Sequence, residues 1–309
     1  MNQPHISVLA NEWLSFLDHK QLKIYVDGTL GAGGHASTVL KAHPEINRFV
    51  GIDQDEDALQ LAKKKLKEWD KKVTYVHRNF AEIKSVLDSL EIEKVDGILL
   101  DLGVSSMQLD RGERGFSFQH LGPLDMRMNQ SSDISAQIIV NDWSEEELGR
   151  IFRDYGEEMQ WRRAANRIVQ ERKKRPIVTT KDLVEILSPV LRSRKKGINP
   201  LTKIFQALRI CVNSELEVLR QTLPDAIERL NMGGILGVIS FHSLEDRIVK
   251  NYFRHEASDK QETSGLAGLF LEKPSTINVL TKKPVKASDE EVANNPRSRS
   301  AKLRVVEKK

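Results

Sequence analysis

Apolar and polar positions switch between two periods along the first hundred residues. Short, β-rich apolar runs at 23–26 (Lys-Ile-Tyr-Val), 48–52 (Arg-Phe-Val-Gly-Ile), 73–77 and 95–100 read as buried strands. Between them, residues 35–42, 56–69 and 80–90 carry apolar side chains at helical spacing. Strands and helices alternating through such short links predict βαβ units and a parallel sheet. After Asp101 the alternation stops. A Gly- and Asp-rich loop, 102–128, leads into about 75 residues of helical pattern, including 144–155, 159–175, 180–190 and a helix start near Thr202. The mixed pattern then returns with a helix over 214–230, a turn at Gly233–Gly234, and strands at 235–240, 277–280 and 301–306. No internal repeat interrupts this order. The expected architecture is α/β: one αβα domain, residues 1–128 plus 212–309, broken by a helical insert over 129–211.

Composition narrows the class. In 309 residues, 39% hydrophobic and 30% charged content describes a chain with a real core and a well-solvated surface, which excludes disorder. A single cysteine, Cys211, excludes an internal disulfide and a multi-cysteine zinc site; no structural metal is expected, and a reducing cytoplasm is the expected compartment. The first residues lack a basic stretch followed by an apolar run, so no signal peptide is expected. The longest apolar runs, 97–100 and 235–241, are too short for a bilayer, and no membrane partner is expected. The net charge of +4 conceals an uneven distribution: from Gln160 to Phe205 there are 13 Lys and Arg against 3 Asp and Glu, so the remainder carries −6. A basic segment on an otherwise acidic chain suits a polyanion such as nucleic acid, although a solvated helix face has the same composition.

The first strand runs into Asp27-Gly28-Thr29-Leu30-Gly31-Ala32-Gly33-Gly34-His35. A glycine loop between strand and helix lets backbone approach a ligand and points helix N-terminal amides at it. Dehydrogenases and kinases use such loops too, so two acids matter more. Asp53 ends the second strand, where a carboxylate can accept the ribose hydroxyls of an adenosine ligand, in NAD and S-adenosylmethionine alike. Asp27 separates the two. An acid there suits the ammonium of a methionine moiety and would repel a pyrophosphate. No Gly-Lys-Ser or Gly-Lys-Thr is present, which disfavours ATP. Asp101 ends the fourth strand, at the sheet edge where open α/β sheets bind ligands; a capped structural Asp is the alternative.

These residues belong to longer strings: 5–9, 27–35, Asp96 to Ser106 with Gln108-Leu109-Asp110, Arg114-Gly115-Phe116-Ser117-Phe118, 122–128, 155–158, 205–210, 240–247 and 295–301. Together they resemble the bacterial RsmH (MraW) family nearly end to end. That resemblance implies a class I S-adenosylmethionine-dependent methyltransferase, with a Rossmann-like sheet and an inserted all-helical domain thought to bind RNA. It implies methyl transfer to N4 of a cytidine in the decoding region of small-subunit (16S) ribosomal RNA. It also implies a cofactor pocket of Gly33, Gly34, His35, Asp53, Phe80, Asp101 and Gln108, to which Asp27 and Gly31 of the glycine loop add. Phe80 could stack on an adenine or serve as core. The chain departs from the family at Asn199-Pro200-Leu201-Thr202-Lys203 and at Leu121, where the family usually shows His-Pro-Ala-Thr-Arg and an acid. Lys203 keeps the charge and loses the guanidinium fork.

An exocyclic amine needs in-line placement and an acceptor for its hydrogens. Asp101 is the first candidate acceptor, with Asp125 and Ser105 weaker ones. Cytosine C5 methylation would need a reactive thiolate, and Cys211 reads as core of a helix. Phe116 and Phe118 could stack on a flipped base, or simply pack their loop. His242 and Asp246 could contact substrate or cap the following helix. Phosphate contacts are expected from Arg162, Arg163, Arg167, Arg172, Lys173, Lys174, Arg175, Arg192, Arg194, Lys195 and Lys196, and Lys203 is a further expected substrate contact. Arg297, Arg299, Lys302 and Arg304 form a second basic group, which alternation in the final strand explains in part. The expected partner is small-subunit RNA or the assembled particle, and a homodimer is left open. Two rivals share part of the pattern. A nicotinamide-dependent dehydrogenase would use the glycine loop and Asp53, and a non-enzymatic RNA-binding factor would use the basic insert alone.

Overall fold

The computed structural model describes residues 7–192, 199–262 and 270–309. The chain divides into two compact units, Met1–Gly103 with Leu216–Lys309, and Val104–Glu215.

In the first unit, the strands are β1 (Ile24–Asp27), β2 (Arg48–Asp53), β3 (Val73–His77), β4 (Val95–Asp101), β5 (Leu230–Ser240), β6 (Lys260–Glu262), β7 (Phe270–Glu272), β8 (Ile277–Val279) and β9 (Lys302–Lys308). Seven of them make one sheet in the order β3-β2-β1-β4-β5-β9-β8, while β6 and β7 pair separately. β1 to β5 run parallel, and β9 lies antiparallel between β5 and β8. The chain order reverses at the β1/β4 boundary, so β1 and β4 end side by side where open α/β sheets bind ligands. The antiparallel β9–β8 edge departs from the 3-2-1-4-5-6 order of dinucleotide-binding sheets.

Period-two alternation assigns each strand residue to one of two apolar layers. Tyr25, Phe49, Leu99, Ile235 and Leu303 pack with α1 (Ala10–Leu17), α2 (Gly34–Ala42) and α3 (Glu56–Lys65). Val26, Val50, Ile98, Leu236 and Val306 pack with α4 (Ile83–Ser89) and with helices of the C-terminal segment. Gly237 is required where Trp13 of α1 lies against β5: a Cβ there would sit 2.3 Å from the indole. The indole N–H donates to the Tyr25 hydroxyl at 2.8 Å, satisfying a fully buried donor. The α3 helix shows why its ends are where they are. Asp55 accepts the Asp57 N–H, Glu56 and Asp57 fill the first turn, and Lys63, Lys64 and Lys65 fill the last.

The second unit holds α5 (Ser106–Asp110), α6 (Ala136–Asp142), α7 (Glu145–Asp154), α8 (Trp161–Arg172), α9 (Thr180–Leu187) and α10 (Leu201–Val212) around its own core. The sequence reading left the loop up to residue 128 with the first domain. Here that loop is fastened within the helical unit. Leu124 N–H donates to Val178 O, Thr180 N–H to Gly122 O, and Ala136 N–H to Asp125 O. Arg114 donates to the carbonyls of Arg127 and Met128, and Asn213 accepts the Met128 N–H. The chain then returns to the first unit with α11 (Glu215–Glu228), α12 (Ser243–Ala257) and α13 (Asp289–Asn294).

The structure corrects one expectation and adds one helix. Gly233–Gly234 is no turn: it lies inside β5, where the β4/β5 register shifts between Val95 and Gly97. Gly233 adopts φ 76°, and a bulge absorbs the irregularity without ending the strand. The α1 helix was not anticipated, because its N-cap, Leu9, has φ 55° and no side-chain cap. Its Leu9 N–H is accepted instead by Glu291 of α13, at 2.9 Å across 282 residues of sequence.

Candidate functional site

The ends of β1, β2 and β4 bring three acids of the first unit together through backbone geometry. Asp27 Oδ1 accepts the Thr29 N–H at 3.1 Å, and the Thr29 hydroxyl oxygen accepts the Asp101 N–H at 2.6 Å. Thr29 therefore ties β1 to β4. It lay inside the glycine string and could have been singled out from its position. Asp53 Oδ2 accepts the Gly31 N–H at 2.7 Å, and its Oδ1 accepts the Asp55 N–H at 2.8 Å, so β2 holds the glycine loop in place. The Gln54 N–H acts on the same carboxylate, which still has acceptor capacity for a ligand hydroxyl. Gly33 adopts φ 77° as N-cap of α2, a conformation that favours glycine, and Gly34 and His35 open that helix.

Electrostatics marks the same residues. Asp27 is 1% exposed, and burial pushes its carboxyl from an ordinary 3.8 to about 7; His35 opposes the rise, while Asp101 and Asp53 add to it. Burial likewise raises Asp53 to about 6, against the pull of its backbone donors. Burial works against the His35 imidazolium, yet Asp101 and then Asp27 outweigh it and raise His35 above its usual value. His35 Nε2 lies 3.3 Å from Asp101 Oδ2, close enough to pair as charges but too poorly aligned for a hydrogen bond. Among the described residues, His35 Nε2 and Asp101 Oδ1 are buried polar atoms without a well-formed hydrogen bond. Such atoms are costly unless something completes them. Glu291, whose carboxyl is itself raised chiefly by burial, acts electrostatically on His35; no local sequence signal pointed to it.

Phe80 opens a short 3₁₀ turn after β3, half-buried against the apolar layer beside α4. A Cβ built on Gly28 would lie 3.4 Å from Phe80 Cβ, so the ring is rooted beside the glycine loop. An acceptor pair at Asp53, a carboxyl at Asp27, an aromatic beside the loop and unsatisfied atoms at Asp101 and His35 fit an adenosyl ligand carrying an ammonium.

The second unit places the remaining candidates, each by itself. Gln108 is buried in the capping box of α5, where its Oε1 accepts the Ser105 N–H at 3.0 Å. Asp125 is clasped by Arg127, with Nη2 to Oδ2 at 2.7 Å and Nε to Oδ1 at 3.0 Å. Burial alone would raise Asp125, but this clasp holds it below its ordinary value, which weakens it as a proton acceptor. Phe116 is buried in the helical core under the Arg114 guanidinium, and Phe118 meets Phe205 edge-on at 5.4 Å. Both rings serve loop packing. Lys203 Nζ donates to the Glu157 carbonyl at 2.7 Å and lies 3.9 Å from Glu158.

The expected phosphate contacts fall into two groups. Arg172 donates to the Val140 and Trp143 carbonyls, Arg167 and Lys174 pair with Glu171, and Arg175 pairs with Asp182. Arg172 joins α8 to α6 and Arg175 reaches α9, whereas the Arg167 and Lys174 pairs stay local to the end of α8. Arg162 stacks on Trp161 at 4.4 Å with its charge exposed, and Arg163 and Lys173 project from α8 with no ion pair among the described residues. Arg194, Lys195 and Lys196 lie outside the described residues. In the first unit, His242 is the N-cap of α12, with Nδ1 accepting the Glu245 N–H at 3.4 Å and Nε2 lying 3.1 Å from Glu245 Oε1. Asp246 is held by Arg304 at 2.7 Å and Lys302 at 3.1 Å, so these three bind α12 to β9. Cys211 is half-buried against the helical core, as its apolar neighbours implied.

A model of the MraW methylase family matches residues 2–309. Proteins named ribosomal RNA small subunit methyltransferase H are similar along almost the whole length. The one from Protochlamydia amoebophila is 54% identical, over 99% of this chain and 97% of its own. The Clostridioides difficile protein is 45% identical over 98% of each, and the Clostridium botulinum protein 46% identical over 100% of each. Among solved structures, an rRNA methylase from Streptococcus thermophilus superposes over 98% of both chains, with 9% identity and a TM-score of 0.45.

Proposed function

The chain belongs to the MraW methylase family, and from that premise we propose that it transfers a methyl group from S-adenosylmethionine to N4 of a cytidine in small-subunit ribosomal RNA. The observation that carries this reading is the family match across residues 2–309, which includes both the glycine loop and the helical unit. S-adenosylmethionine supplies an electrophilic methyl group on a sulfonium.

The residues of the first unit would divide the work. Asp53 accepts ribose hydroxyls through its spare lone pairs, Phe80 offers a face to the adenine, and Asp27 pairs with the methionine ammonium. Gly31, Gly33 and Gly34 let the loop come close. Asp101, whose side chain is 24% exposed, offers a carboxylate that can accept a hydrogen of the cytosine amine, favouring a nucleophilic nitrogen lone pair. His35, with Nε2 3.3 Å from Asp101 Oδ2, favours the ionised carboxylate by its charge. Gln108 and His242 are retained as further contacts to cofactor and substrate respectively. Phosphate contacts are assigned to Arg162, Arg163 and Lys173. A lone, packed Cys211 leaves C5 chemistry without a nucleophile, and the reaction belongs in a reducing cytoplasm. Among the described residues, no helix is long and apolar enough to cross a membrane.

The test is transfer of labelled methyl to small-subunit RNA, followed by mass-spectrometric mapping of the modified base. Label at cytidine N4 is expected. Label at another atom, or none on naked RNA and on assembled subunits alike, overturns the reading.

A further inference from the structure

On the first unit, α12 and the β8–β9 edge enclose an open groove of about 580 Å³. Among the described residues, four cationic side chains line it, Lys250, Arg254, Lys282 and Arg304, and no acid does. Arg304 is 6% exposed and anchored by its Nε on Asp246, which fixes a guanidinium at the groove wall. The other three are exposed and make no hydrogen bond or ion pair among the described residues. Lys250 and Arg254 stand four residues apart, on one face of α12. Beyond Lys282 the chain continues through exposed Lys283 and Lys286 without an acid before Asp289. Cations gathered around one groove repel each other, and a bound anion relieves that repulsion.

We propose that this groove binds the sugar–phosphate backbone of RNA, as a second contact surface separate from the basic stretch at 160–205. The inference rests on the RNA-methylating reading above and assigns part of the same substrate to a new place. Sites for one small phosphate use backbone amides at a helix N-terminus or a nest. Here three of the charges are exposed side-chain ends on α12 and the segment after β8, beside the fixed guanidinium of Arg304 on β9. That suits a chain of phosphates. β8 is three strands from β4, roughly 14 Å across the sheet, so RNA held there would approach Asp101 from the far edge.

The test is a Lys250→Glu, Arg254→Glu, Lys282→Glu variant of the full chain, with Lys250→Gln, Arg254→Gln, Lys282→Gln as the milder form. Arg304 is left intact because it holds Asp246. Binding of a fluorescent small-subunit RNA fragment is measured against salt, with S-adenosylmethionine affinity and melting temperature recorded alongside. We expect RNA affinity to fall about tenfold or more in ~0.1 M salt and the slope of log affinity against log salt to drop by about 2. S-adenosylmethionine affinity should stay unchanged. Unaltered RNA affinity and slope would overturn the groove assignment while leaving the methyltransferase reading in place. A lower melting temperature with unaltered RNA affinity would overturn it too, and would leave Arg254 a helix-end charge. Loss of binding to anionic vesicles with RNA binding unchanged would give the groove to a membrane surface and refute the RNA assignment. Wild-type protein that neither binds nor methylates the RNA would remove the reading itself.

Discussion

Asp53 accepts the Gly31 N–H at 2.7 Å, so the acid that ends β2 also holds the glycine loop that follows β1. Cofactor binding and loop order are thus one property of a single carboxylate. Replacing Asp53 with Ala should weaken S-adenosylmethionine about 100-fold or more, and cost about 1–3 kcal/mol of stability from the backbone donors of Gly31, Gln54 and Asp55 left unpaired. Calorimetric titration and urea unfolding measure the two effects. Loss of affinity with stability unaltered would mean that the loop is ordered by something else.

Asp27 makes a prediction about pH. Its folded carboxyl is raised to about 7 from an ordinary 3.8, so the folded chain holds this proton more tightly than the unfolded chain does. Stability is therefore lost as pH climbs between those values. A methionine ammonium reverses the preference and favours the ionised acid, so cofactor binding should release a proton near pH 6 to 7. Asp27→Asn should melt higher than wild type at pH 8, bind the cofactor more weakly, and release fewer protons than wild type. Titrations in two buffers of different ionisation enthalpy detect the proton; identical apparent enthalpies for wild type would contradict the assignment.

Asp246 lies between Lys302 and Arg304, joining α12 to β9. Asp246→Ala leaves a nearly buried guanidinium unpaired and should destabilise the protein by about 3 kcal/mol. S-adenosylmethionine affinity should hold, because the acids that bind it end other strands. A variant that folds normally but no longer methylates RNA would return Asp246 to the substrate contacts considered from sequence.

Cys211→Ala should leave methyl transfer within about twofold of wild type, since transfer to an amine needs no thiolate. Complete loss of activity in a variant that still unfolds cooperatively would call for a covalent mechanism.

Legibility in the sequence followed the range of the interaction. Asp27, Asp53 and Asp101 could be read locally, because each ends an apolar strand and strand ends are fixed by short-range pattern. Thr29 sat in view inside the glycine string. The Leu9–Glu291 contact could not be read, since its partners are 282 positions apart and Glu291 sits in a local Ser-x-x-Glu motif that points to its own helix α13. Phe116 and Phe118 were ambiguous for a different reason: an aromatic in a glycine-rich loop has the same local pattern whether it packs inward or faces a ligand. The basic stretch at 160–205 had a uniform look in composition. In three dimensions Arg172 caps carbonyls and Arg175 pairs with Asp182, while Arg162 keeps an exposed charge over Trp161.

The account depends on three carboxylates, Asp27, Asp53 and Asp101, receiving an adenosyl sulfonium and not a dinucleotide. Isothermal titration of the purified chain with S-adenosylmethionine and, separately, with NAD tests this most directly. The account predicts saturable binding of the first, lost in Asp27→Asn and Asp53→Ala, and none of the second. Binding of NAD, or no heat of binding from S-adenosylmethionine with folded protein, would contradict it.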